Sequence, residues 1–248
     1  MRIGVAATVV VLAFVCVAAP AFAQDPPPEP KIWTVTASAG LALTSGNSET
    51  STVNLAYDLT YDPQTRNMIK SDGLFLRGET EGEVSTQRTG LNIRDEYRLT
   101  ERVFVFGQNQ YLKDEFKEIE YLIAPTAGVG YKLIDTPETK FGVDSSVGVV
   151  WEKNTGIDDT SSSGAVAMSQ RLQQTLTANT TLTQVFTGLW RMEDFEDALF
   201  TLGVSIAASM STRTQLKVEA LDTFKNKPPL PTIKANDVAV LMSIVYKM

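Results

Sequence analysis

Three regularities of the chain predict an all-β fold, an antiparallel transmembrane β-barrel of about 12 strands. Apolar residues recur at every second position through most of its length, and polar connections alternate between short and long. Beyond the N-terminal segment, no run is apolar for the roughly 20 residues that a membrane-crossing helix needs.

The first element is an export signal. Arg2 precedes an apolar run over residues 5–17, and the small residues Ala21 and Ala23 mark a cleavage site, so that residues 1–23 form a signal peptide and the mature chain starts at Gln24. Cleavage removes Cys16, the only cysteine, and leaves 21 basic against 29 acidic residues, a net charge of −8. A chain so acidic lacks the clustered cations that nucleic-acid phosphates require, so no nucleic-acid partner is expected. Residues 24–32 then form a proline-rich periplasmic lead, in which residues 25–30 read DPPPEP and cannot pair in a sheet.

The barrel domain is predicted over residues 33–248. In its first strand Trp33, Val35, Ala37, Ala39, Leu41 and Leu43 alternate with Thr34, Thr36, Ser38, Gly40 and Ala42. Val53, Leu55, Tyr57, Leu59 and Tyr61 repeat the pattern, as do Phe141, Val143, Val147, Val149 and Trp151, and later Phe200, Leu202, Val204, Ile206, Ala208 and Met210. Such segments are expected near residues 33–43, 51–61, 66–78, 87–99, 102–115, 121–134, 140–152, 163–173, 175–189, 198–210, 214–224 and 237–248. They are longer than the roughly 5–6 residues usual in soluble sandwiches, and they suit tilted strands that cross hydrocarbon in about 9–11 residues.

Tight turns are predicted at residues 98–102, 172–176 and 211–214, and longer external loops at 79–86, 154–163, 191–197 and 225–236. Short periplasmic turns facing longer external loops are the expected form of an outer-membrane barrel with both termini inside. Aromatic residues fall near strand ends, at Trp33, Tyr61, Tyr97, Tyr111, Tyr131, Phe141, Trp151, Trp190, Phe200, Phe224 and Tyr246, as interfacial girdles would require. The last segment carries Val238, Val240, Met242, Ile244, Tyr246 and Met248 on one face. An apolar alternation of this kind is expected to serve as the insertion strand, with Ile244, Tyr246 and Met248 read by the barrel-insertion machinery. Methionine stands at the final position, where phenylalanine is usual in such strands.

Several stretches resemble the YdiY-like family of salt-induced outer-membrane proteins, a domain of unknown function. They are residues 43–50 (LTSGNSET), 103–116 (VFVFGQNQYLKDEF), 128–140 (GVGYKLIDTPETK) and 192–197 (MEDFED). The resemblance implies a barrel fold and an outer-membrane location in a Gram-negative bacterium, and it implies no activity.

The chemistry open to the chain is narrow. With no histidine, a Ser-His or Asp-His mechanism is impossible, no G-x-S-x-G elbow occurs, and no catalytic residue, cofactor or dedicated metal ligand is expected. Carboxylates gather at Glu79, Glu81 and Glu83, at Asp158 and Asp159, and at Glu193, Asp194, Glu196 and Asp197; such a rim could attract Ca²⁺ or Mg²⁺. The inward faces are expected to be the polar ones. Arg88, Arg94, Glu96 and Arg98 share one side of a single strand as candidate lumen charges, with Asp58, Asp144, Lys217 and Glu219 on polar faces elsewhere. Such charges either line a narrow pore for ions or small solutes or pair across the lumen and fill it, as in a structural or envelope-stress protein, and the residues leave both readings open. The expected partners are outer-membrane lipid, the insertion machinery and periplasmic chaperones. Oligomeric state stays open.

Overall fold

A chain whose side chains alternate at every second residue can satisfy its backbone inside a membrane only if every strand edge is paired, and the fold meets that demand by closing on itself. The computed structural model describes residues 32–45, 50–80, 83–230 and 232–248. The predicted signal peptide, with Ala21 and Ala23, and nearly all of the proline-rich lead lie outside the described residues.

Twelve strands follow in order: β1 (Trp33–Ser45), β2 (Thr50–Tyr61), β3 (Asn67–Thr80), β4 (Glu83–Arg98), β5 (Val103–Asp114), β6 (Ile119–Asp135), β7 (Thr139–Asn154), β8 (Thr160–Thr177), β9 (Thr180–Arg191), β10 (Ala198–Ser209), β11 (Thr214–Lys225) and β12 (Asn236–Lys247). Each pairs antiparallel with its sequence neighbours, and β1 also pairs with β12, from Thr36 opposite Lys247 to Ser45 opposite Val238. The result is a closed 12-stranded up-and-down barrel without a free edge. Both Trp33 and Lys247 lie at one end of the cylinder, called here the near end; the opposite end is the far end.

The burial pattern is that of a soluble protein turned inside out. On β12 the residues alternate strictly: Val238, Val240, Met242, Ile244 and Tyr246 are exposed, while Asp237, Ala239, Leu241, Ser243 and Val245 are buried. On β2 Val53 and Leu55 are exposed while Asn54 between them is 4% exposed. An exterior of exposed leucine, isoleucine and valine around a buried polar interior is stable only where hydrocarbon replaces water outside. All 11 aromatic residues singled out above share the outward parity of their strands. Trp33, Tyr61, Tyr97, Tyr131, Phe141 and Tyr246 gather toward the near end, and Tyr111, Trp151, Trp190, Phe200 and Phe224 toward the far end. Within these belts Trp33 packs on Tyr61 at 4.4 Å, and Trp190 meets Phe200 edge to face at 5.2 Å.

Three expectations need correction. Residues 172–176 form no turn: β8 continues to Thr177, and the chain reverses over residues 178 and 179. Residues 83–86 and 160–163 belong to β4 and β8 rather than to loops, so strands run from 12 to 18 residues. These polar stretches extend past the outward apolar positions, and backbone pairing continues there after the apolar alternation has faded. The inward faces, finally, are not wholly polar. Ile119, Leu122, Ala124, Val150 and Ala165 form a buried cluster inside the barrel, with Leu112, Leu189 and Leu199 packed against it, and Leu76, Ala239 and Leu241 form a second. The reason is hydration: inward positions of the far half are shut off from water, and a dry lumen needs apolar filler as much as any core.

Candidate functional site: the lumen

Register determines which side chains share the lumen. Lys70 stands opposite Arg94, Arg94 opposite Gln108, Glu96 opposite Phe106, and Gly130 opposite Asp144, so these residues ring the near half. Arg94 is the hub. Its guanidinium donates to Glu96 at 2.8 Å, to Gln108 at 3.0 Å and to Asp144 at 2.9 Å, three strands away on β7. Glu96 accepts two further bonds from Lys70, each 2.9 Å. The guanidinium also lies 3.5 Å from the centroid of Phe106, a cation–π contact that holds it flat against the wall. Local sequence makes room for this arrangement. A Cβ at Gly130 would stand 2.1 Å from the Phe104 ring, so the G-V-G stretch of β6 gives the inward phenylalanines a surface to lie on.

The far half is closed by a second network. Glu152 on β7 is 3% exposed and receives Lys225 from β11 at 2.5 Å and Arg191 from β9 at 2.9 Å. Arg191 also holds Asp197 at 2.8 Å. Arg88 pairs with Asp114 at 3.2 Å and reaches across to Thr223 on β11 at 2.7 Å. The short 3-10 turn Glu115–Lys117, which joins β5 to β6, carries Lys117 inward until none of its surface is exposed. There its ammonium donates to the carbonyls of Ala235 at 2.8 Å and Lys234 at 3.3 Å, and pairs with Asp237 at 2.6 Å. Among the described residues each buried charge has an opposite partner, the condition under which ions survive a dry interior.

The four predicted lumen charges therefore occupy three places. Arg94 and Glu96 belong to the near network and Arg88 to the far one, while Arg98 lies at the near rim and pairs with Asp62 in the β2–β3 turn. Lys217 and Glu219 pair with one another at 2.8 Å. Lys70, Asp114, Lys117, Glu152, Arg191, Lys225 and Asp237 were not among the sequence candidates. For Glu152 and Lys225 the parity of their strands was a usable signal, since Glu152 shares a face with Asp144 and Ser146. Lys117, in a connection, had none. Ile244, Tyr246 and Met248 all lie outside, 43% to 64% exposed.

Of the three acidic clusters, the one in the β9–β10 loop is an ion-paired surface, while Glu81 of the first lies outside the described residues. Asp194 and Glu196 turn to Lys227 at 2.5 and 3.1 Å, clamping the β9–β10 loop to the β11–β12 loop. The bond from Lys227 holds the Asp194 carboxyl below the usual carboxylate range, and burial pushes Asp197 up in spite of Lys225 and Arg191. Among the described residues, no three carboxylates converge to hold a metal ion.

A family model described as a protein of unknown function, DUF481, matches residues 37–248. The chain belongs to this family. The DUF481 region thus spans the barrel from within β1 to its last residue. No curated protein matches the chain. Among solved structures, the NanC porin is similar over 86% of this chain and 100% of its own, at 8% identity and a TM-score of 0.57. The translocator domain of the autotransporter NalP from Neisseria meningitidis is similar over 88% of this chain and 89% of its own, again at 8% identity, with a TM-score of 0.51. At such identities the likeness concerns the fold, and it adds that this DUF481 barrel has the architecture of proteins that span outer membranes.

Proposed function

We propose that the protein is exported through a signal cleaved after Ala23 to the outer membrane of a Gram-negative bacterium, where it acts as a narrow pore for ions or small solutes that rests shut. The YdiY-like, salt-induced character implied by the resemblance belongs to the same proposal, as does recognition of β12 by the insertion machinery through Ile244, Tyr246 and Met248. The reading is carried by the division of the lumen into two unlike halves. In the near half, inward side chains such as Arg171 and Asp58 are exposed and Lys70 is 40% exposed, so water reaches them. In the far half the dry clusters and the Lys117–Asp237 contact close the way, and the closing group sits on a connection rather than on a strand. A connection can swing without breaking the barrel. The likeness to a porin fold supports a channel role in general terms.

The other reading, a filled barrel with a structural or envelope-stress role in salt or acid response, is favoured by one observation. Glu152–Lys225 and Arg88–Thr223 tie together strands four and five places apart around the ring. Planar-bilayer conductance separates the two readings, using material whose gel band shifts on boiling so that only folded protein is tested. The pore reading expects rare small steps from the native chain and frequent ones from Lys117→Ala. Silence from both folded proteins overturns the pore and selects the filled barrel.

A further inference from the structure

Most inward charges of the near half neutralise one another inside the protein. Lys70, Arg94, Glu96 and Asp144 form one chain of two cations and two anions, and Lys217 and Glu219 form a closed pair. Arg98 is held by Asp62. Apart from Lys140 and Lys247 at the rim, three inward charges of the described strands remain, Asp58, Asp72 and Arg171.

Their placement is asymmetric. Asp58 on β2 and Asp72 on β3 are register partners, so two carboxylates stand side by side on one wall. The bonds they accept come from neutral groups, Thr36 Oγ1 at 3.3 Å and Asn92 Nδ2 at 3.1 Å, and leave their charge uncompensated. Arg171 lies on β8, five strands away from β3 in a ring of twelve, with the inward parity of Ser163 and Ala165, and it is exposed. Unlike Arg88, Arg94, Arg98 and Arg191, it meets no carboxylate within ion-pair distance among the described residues. It is nevertheless close enough to act electrostatically on both Asp72 and Lys70 across the space between. The near lumen therefore carries acidic groups on one wall and a guanidinium on the facing wall, with no ion pair joining them.

We infer that this part of the lumen binds a small zwitterion, with its ammonium group at Asp58 and Asp72 and its carboxylate at Arg171. A simple cation or a simple anion would answer one wall and leave the other uncompensated, whereas a molecule with both charges answers both and is aligned by the field between them. Arginine suits the carboxylate end because its planar fork binds both oxygens, and the paired aspartates offer several acceptors to an ammonium group. The inference gives the proposed pore a solute class and rests on that reading for transport, though not for binding.

The test uses four probes of one length: 4-aminobutyrate, butyrate, butylamine and butyramide. Binding is read by saturation-transfer NMR on the folded, detergent-solubilised chain, and passage by swelling of liposomes that contain its Lys117→Ala variant, in which the far-end closure is removed. The expected result is contact with 4-aminobutyrate above the other three, weakened about tenfold by Arg171→Gln and by Asp58→Asn with Asp72→Asn, and partly kept by Arg171→Lys. Butyramide should not respond to any of these changes. Equal contact for all four probes, or indifference to Arg171→Gln in protein whose gel band still shifts on boiling, overturns the inference. If 4-aminobutyrate binds as expected but no probe swells the liposomes, the site stands and the pore fails. If all four pass alike without preferential contact, the pore stands and the zwitterion site fails.

Discussion

Glu152 illustrates what a single lumen residue does. Its carboxylate is almost wholly buried between Lys225 and Arg191, where burial opposes its charge and the two cations restore it. Removing one member of such a set leaves the others charged in a dry place, which costs about 3–5 kcal/mol, whereas replacing charges together with apolar groups of similar size is often neutral. Glu152→Ala should therefore lower stability by about that amount in urea titrations of the barrel in lipid vesicles. Changing the whole set, Glu152→Met, Lys225→Met and Arg191→Met together with Asp197→Asn, should recover most of the loss. A loss under about 1 kcal/mol for the single change would mean that water reaches the far half, contrary to the dry clusters beside it. Sequence reading could place Glu152 inward by parity, but it could not name its partners. Lys225 is 73 residues away, and the contact exists only because twelve registers in series bring β11 opposite β7.

At the scale of the strand, legibility follows solvent. Where a strand crosses hydrocarbon, its outward residues must be apolar and its inward ones need not be, so the period of two is strong, and β2, β7, β10 and β12 could be read with little error from Val53, Val147, Val204 or Met242. Where a strand protrudes past the apolar band, as β8 does at Ser161 to Ser163, both faces are polar and the period vanishes, although backbone pairing with β7 continues. The same logic grades substitutions along β12. Met242 is outward, 56% exposed and in the middle of its strand, while Met248 lies beyond its end. Met242→Arg should destabilise the barrel by about 2–4 kcal/mol in lipid vesicles and Met248→Arg by no more than about 1, because the cost of a lipid-facing cation falls from the midplane to the interface. Equal effects at the two positions would show that the outward face of β12 does not meet lipid. The dry layer of Leu76, Leu122 and Leu241 was illegible for a related reason. Inward apolar residues look like breaks in an alternating pattern until the closed far end is known.

The whole molecule combines these scales in its two ends. Near-end turns span two to five residues, the far-end connections 155–159 and 192–197 span five and six, and Lys227, after β11, is held to the β9–β10 loop. In an outer membrane the short turns belong to the periplasmic side and the longer loops to the outside, which would put the Lys117 closure toward the exterior and the charged, wetted half toward the periplasm. The chain makes this orientation simple to test, because its only cysteine is Cys16, in the predicted signal peptide. A cysteine placed at Asp158, exposed in the β7–β8 loop, should react in intact cells with a maleimide that cannot cross membranes; one placed at Glu138, exposed in the β6–β7 turn, should react only after the outer membrane is permeabilised. The reverse pattern would invert the barrel and put the closure on the periplasmic side. Labelling of neither before both membranes are opened would remove the protein from the outer membrane. Labelling at Asp158 alone would leave Arg171, Asp58 and Asp72 to meet solutes from the periplasm first, so that opening at Lys117 would control what enters and the charged walls would act on whatever leaves.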